Sequence, residues 1–156
     1  MTMKNNIILF TLLLTFGSCF LVLPRALALE SLNFQNDLGT ISANKIDAFL
    51  SDRYQTEIAS YNIATADLNN DGLDEYILKQ LDCTQAQAFC NYIVLAEKNN
   101  EIIELSNIKA KNILISGTYT YGIKDILAFQ NTINDYDFDI YMWSSKEKMY
   151  IIKKNE

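Results

Sequence analysis

The sequence contains no histidine, and that absence removes more function classes than any other feature of the chain. Histidine is the commonest general base, so Ser-His and Cys-His nucleophilic arrangements cannot be assembled here. Zinc centres that complete a cysteine pair with imidazole are excluded on the same ground. Glycine is sparse, at five residues, and no phosphate-cradling glycine loop is present. No low-complexity linker or block of like charge divides the chain, so its length favours a single folded domain.

Residues 1–28 read as a secretory signal peptide. Lys4 sits in a short polar start, an apolar run extends from Ile7 to Leu23, and Pro24-Arg25 interrupts it. Ala26-Leu27-Ala28 then supplies small residues at the positions three and one before a signal-peptidase cut. Two alternatives stay open. The apolar run approaches membrane-spanning length, so it also fits an uncleaved anchor. Cys19, preceded by Gly17-Ser18, fits a lipid-modified N-terminus, although Phe16 and the apolar stretch after Cys19 depart from that pattern. The expected location is periplasmic or secreted, with lipid anchoring at Cys19 or a signal anchor as the alternatives.

The mature chain would be residues 29–156. It keeps 11 Lys and Arg against 19 Asp and Glu, a net charge of −8. Such a field repels nucleic acid and anionic lipid and favours cations and basic partners. Once Cys19 is removed, Cys83 and Cys90 remain. An even count in an exported chain predicts a disulfide between them. A chain of this size can bury a real core without depending on that bridge or on a metal.

Ser42 to Tyr54 has helical periodicity, with Ser42 as N-cap and Ile46, Phe49, Leu50 and Tyr54 on one face. Lys45, Asp47, Asp52 and Arg53 occupy the other face, so this helix is expected to pack on one side of a sheet. Strand signals follow at Ile58–Ala66, Glu75–Leu81, Tyr92–Glu97, Ile102–Leu105, Asn112–Ser116 and Asp125–Phe129. Tyr136–Trp143 and Met149–Lys153 predict a last β-hairpin, and Asn99-Asn100 marks a turn. The expected fold class is α+β: one N-terminal helix on a mainly antiparallel β-meander, in a single domain. A faint echo links Gly72–Leu78 to Gly122–Ala128, each reading as glycine, apolar, polar, acid and then apolar strand.

The sharpest chemical signal is Asp67-Leu68-Asn69-Asn70-Asp71-Gly72-Leu73-Asp74-Glu75. Calcium takes 6–8 oxygen ligands, so a compact site needs oxygens converging from a short stretch. Asp67, Asn69 and Asp71 supply them at alternate positions, Gly72 permits the turn that offers the Leu73 carbonyl, and Glu75 closes the set. Asp74 points away. The chain begins this loop like an EF-hand but has Leu78 where an EF-hand needs its twelfth-position glutamate. A metal-free Asn-Asp-Gly turn explains Asn70-Asp71-Gly72, but not the placement of Asp67, Asn69 and Glu75.

Asp-x-Asn-x-Asp-Gly-x-x-Glu between two strands resembles the calcium loops of FG-GAP and VCBS-type repeats. It is also similar to the Asp-Leu-Asn-x-Asp-Gly-x-x-Glu signature of small exported bacterial proteins. The close likeness covers residues 63–78, with looser likeness at Cys83–Cys90 and at Gly122–Asp125. The resemblance implies bound Ca2+ at Asp67, Asn69, Asp71, Leu73 and Glu75. It does not imply a propeller, which needs at least four blades.

Asp135, Asp137 and Asp139 alternate with apolar residues and read as the acidic outer face of a strand rather than a second metal site. Tyr119, Tyr121, Tyr136, Tyr141, Trp143 and Tyr150 enrich the second half in aromatics, for core packing or for a binding face. A carboxylate pair suits glycoside hydrolysis, but the clustered acids are already assigned as calcium ligands or strand surface. The sequence therefore predicts an exported, calcium-binding, non-catalytic protein- or glycan-interaction module. The alternatives are a structural envelope-associated domain stapled by calcium and a carboxylate-dependent hydrolase. No nucleic-acid partner is expected, and no membrane insertion after signal cleavage.

Overall fold

The computed structural model describes residues 28–35, 39–83, 89–131 and 137–153. The apolar leader, Cys19, Asp135 and Tyr136 lie outside these residues. Two antiparallel sheets face one another, and one helix covers the far side of the first. The first sheet has the order β2-β3-β4-β5, formed by Tyr61–Ala66, Glu75–Gln80, Cys90–Lys98 and Glu101–Ala110. The second has the order β1-β6-β7-β8-β9, from Leu29–Glu30, Asn112–Thr120, Ile123–Phe129, Phe138–Ser144 and Met149–Ile152. The α+β class and the antiparallel pairing stand as expected.

Strand alternation builds the layers. In β3, Ile77 joins the cluster between the sheets, while its neighbours Tyr76 and Leu78 pack on the helix side. Between the sheets, Ile77, Tyr92, Val94 and Ile108 meet Ile113, Ile115, Ile126, Ala128 and Tyr150. Each of these is almost wholly removed from water. Burial of such a side chain contributes about 1.5–3 kcal/mol, so this layer is the main driving force for the fold.

The helix α1 spans Thr40–Tyr54 and buries Ile46 and Leu50 completely against Tyr61, Ile63, Leu78, Ile93 and Leu95. Its outer residues clamp it to the β4–β5 hairpin: Lys45 Nζ lies 2.6 Å from Glu97 Oε1, and Arg53 Nε lies 2.8 Å from Glu104 Oε2. A left-handed residue, Gln55, ends the helix.

Four details differ from the sequence expectation. The helix is not N-terminal, because β1 and an extended stretch containing Gln35 precede it; Gln35 bridges to Ile63. Ser42 is not the N-cap. Gly39 holds that position without a side-chain bond, and Ser42 Oγ instead accepts from Tyr76 Oη at 2.9 Å. Ile58–Ser60 is a 3-10 turn, pinned by the Ile58 amide donating to Asp47 Oδ1 at 2.8 Å, and β2 begins only at Tyr61. The strands also divide into two sheets, and Lys111 alone connects β5 of one to β6 of the other.

A further reversal concerns β8. Tyr141 and Trp143 pack on the cluster between the sheets, which puts Asp139 on that same inward side by alternation. Its carboxylate accepts from Gln130 Nε2 at 2.6 Å. The opposite face carries Phe138 and Ile140, packed with Leu114, Leu127 and Phe129. The expected acidic outer face is apolar instead.

Candidate metal loop and adjoining groove

The loop between β2 and β3 folds on itself through short-range hydrogen bonds. The Asp71 amide donates to Asn69 Oδ1 at 2.8 Å, and the Leu73 amide donates to Asp71 Oδ1 at 2.8 Å. The Gly72 amide reaches back five residues to Asp67 Oδ2 at 3.1 Å. Asn70 and Gly72 supply the left-handed conformations, with φ of 57° and 83°. Glycine, lacking a Cβ, and the short polar side chain of Asn tolerate these positions, which is why this short polar run makes so tight a turn.

Glu75 closes the loop from the first residue of β3. Its Oε2 accepts from the Leu68 amide at 2.8 Å, and its Oε1 accepts from Asn69 Nδ2 at 3.0 Å. Only 6% of Glu75 is exposed. Burial pushes its carboxyl above the usual range; the bond from Leu68 opposes that shift, while the charges of Asp71 and Asp67 add to it. Two negative charges thus already act on a third, buried one, and a cation among them would relieve the repulsion.

The structure brings Asp67, Asn69, Asp71, Leu73 and Glu75 into one loop. Asp67 carries the most informative atom. Its Oδ2 is used by Gly72, whereas its Oδ1 is fully removed from solvent and has no hydrogen-bond partner. A buried carboxylate oxygen left unsatisfied is costly, and a cation is the natural complement. Among the described residues, no three acidic, cysteine or histidine side chains converge tightly enough to hold an ion by themselves. Asp74 is exposed, in keeping with its outward reading.

The disulfide is formed, with Cys83 and Cys90 5.4 Å apart at Cα, and it ties the end of the β3 turn to the start of β4.

The sequence did not reveal what lies beside the loop. A groove of about 900 Å3 is lined by Asn69, Asp71, Leu73 and Glu75 of the loop and by the Glu97–Asn100 turn. Leu68, Ile103, Leu105, Ile123 and Trp143 also line it. The second glycine-led strand start meets the loop directly, since the Lys124 amide donates to Leu68 O at 2.7 Å. The faint Gly72/Gly122 echo was the only hint that these two segments belong together. Trp143 stands edge-on to Tyr150, with ring centroids 5.8 Å apart. Tyr150 Oη donates to Lys124 O at 2.9 Å. Burial raises the Tyr150 phenol strongly, with smaller contributions from the charges of Glu75 and Asp125.

Comparison with protein-family models, curated proteins and solved structures found no match to this chain.

Proposed function

We propose that this protein is an exported, calcium-binding, non-catalytic module that uses the groove beside its loop to bind a protein or glycan. Asp67, Asn69 and Asp71 side chains, the Leu73 carbonyl and Glu75 would hold the ion, which supplies positive charge where three carboxylates are confined. The observation that carries the reading is the buried, unpartnered Asp67 Oδ1 at the first position of the loop. The resemblance to FG-GAP and VCBS-type calcium loops supports it independently. Export is supported by the Cys83–Cys90 bridge, since disulfides persist in oxidising compartments.

Binding rather than catalysis is favoured by how three of the four carboxylates lining the groove are occupied: Asp71 accepts from the Leu73 amide, and Asp74 is the exposed exception. Both Glu75 oxygens accept hydrogen bonds, and Glu97 is paired with Lys45. Apolar and aromatic lining with a few polar groups is the usual character of a ligand site. Trp143 and Tyr76, both half-buried, present aromatic surface to the groove beside the loop. Isothermal calorimetry with calcium tests the metal assignment. Saturable binding in the ~10⁻⁴–10⁻³ M range typical of extracellular modules is expected. No heat of binding at millimolar calcium would remove it.

A further inference from the structure

The loop and the groove share residues, and a continuous set of contacts runs from one to the other. Glu75 Oε2 accepts from the Leu68 amide at 2.8 Å. Leu68 O accepts from the Lys124 amide at 2.7 Å, which crosses from the first sheet to the second. Lys124 O accepts from Tyr150 Oη at 2.9 Å, and the Tyr150 ring meets Trp143 at 5.8 Å. Trp143 lines the same groove as the loop residues Asn69, Asp71, Leu73 and Glu75.

Two joints of this path are buried. Leu68 is 1% exposed and Tyr150 2% exposed, so neither can shift without moving its neighbours. Leu68 has no slack in its backbone either, because its amide and its carbonyl are both bonded. Glu75 cannot turn toward an ion in the loop without changing its hold on Leu68 and Asn69.

We propose that calcium occupancy of the loop is transmitted through Glu75, Leu68, Lys124 and Tyr150 to Trp143, so that metal binding and groove shape form one coupled equilibrium. The inference rests on the calcium reading above and adds regulation to it. Coupling of this kind is reciprocal: whatever changes the groove on binding must change calcium affinity by the same factor. The test measures the coupling itself.

Trp143 is the sole tryptophan and makes a built-in reporter. Calcium is titrated into the protein while the Lys124 amide and Trp143 indole resonances are followed, with calorimetry on the same samples. Both resonances should move with the calorimetric midpoint. In Tyr150→Phe, which keeps the ring but not the bond to Lys124, calcium affinity should persist while the indole response falls by about half or more. Calcium binding with both resonances unmoved, or an undiminished indole response in folded Tyr150→Phe, overturns the coupling and leaves the metal site standing. Absence of any calorimetric binding overturns both. If circular dichroism shows that Tyr150→Phe does not fold, the wild-type resonances decide alone.

Discussion

Replacing Glu75 by alanine separates what this residue does for the fold from what it does for calcium. In chelator, with no ion present, Glu75→Ala leaves the Leu68 amide without its acceptor at a site only 1% exposed. A buried amide left unsatisfied costs about 1–3 kcal/mol, and the lost bond from Asn69 and the lost packing of the side chain add to that. Relief from burying a carboxylate whose pKa is raised offsets part of the loss. The net is a destabilisation of about 2–4 kcal/mol, or a Tm roughly 10 °C lower for a domain of this size. Glu75→Gln should lose about half as much, because one amide oxygen can still accept from Leu68. Thermal unfolding followed by far-ultraviolet circular dichroism at neutral pH, in chelator, measures both. A Glu75→Ala protein melting within a degree of wild type would refute the claim that Glu75 closes the loop by hydrogen bonding.

Gly72→Ala meets no atom that would clash, yet its φ of +83° strains any side chain, so a loss of about 1–2 kcal/mol is expected in equilibrium denaturation. Reducing Cys83–Cys90 opens a short loop and should cost about 2–3 kcal/mol, read as a lower urea midpoint in reductant. Tyr92 gives a pH prediction. Burial raises its phenol to about 12, against 10.0 for the unperturbed group. The folded state therefore holds the proton where the unfolded state releases it, and stability falls as pH rises from 10 towards 12. The share of Tyr92 should reach about 2–3 kcal/mol, so Tyr92→Phe should lose that much less across the range, while the buried Tyr150 phenol, raised still further, keeps its own contribution in both proteins, as judged by denaturation. Unchanged alkaline sensitivity in Tyr92→Phe would assign it to another group.

Features written in local sequence were legible, and features made by distant segments meeting were not. The helix was recognisable because Ile46 and Leu50 fall at helical spacing and do bury together. The loop was recognisable because Asp67 to Glu75 places its turn residues and its oxygens within nine positions. The division into two sheets left no such trace. A single residue, Lys111, passes the chain between them, without the glycine or proline that usually punctuates a change of layer. Ser42 looked like a cap because its type favours that role, but Tyr76 from another strand claims its hydroxyl. The alternation of Asp137 and Asp139 gave the period of β8 correctly and its sense wrongly, since periodicity identifies two faces without saying which is covered. The groove was illegible for the same reason. Its lining comes from Gly39 and Ser42, from the loop and its flanks between Thr65 and Tyr76, from the Ala96–Leu105 hairpin, and from Ile123, Trp143 and Lys148, which only the completed sandwich brings together.

The central claim is that the Asp67–Glu75 loop binds calcium, and melting with and without the ion tests it most directly. With affinity near 10⁻⁴–10⁻³ M, about 10 mM calcium should add about 1.4–2.7 kcal/mol of stability and raise Tm by roughly 5–10 °C. Asp71 is exposed, and its carboxylate accepts from the Leu73 amide while the hydrogen bond its own amide donates to Asn69 does not depend on the side chain, so Asp71→Ala should fold normally in chelator. It should also lose the calcium-dependent rise. Equal calcium response in wild type and Asp71→Ala would contradict the assignment.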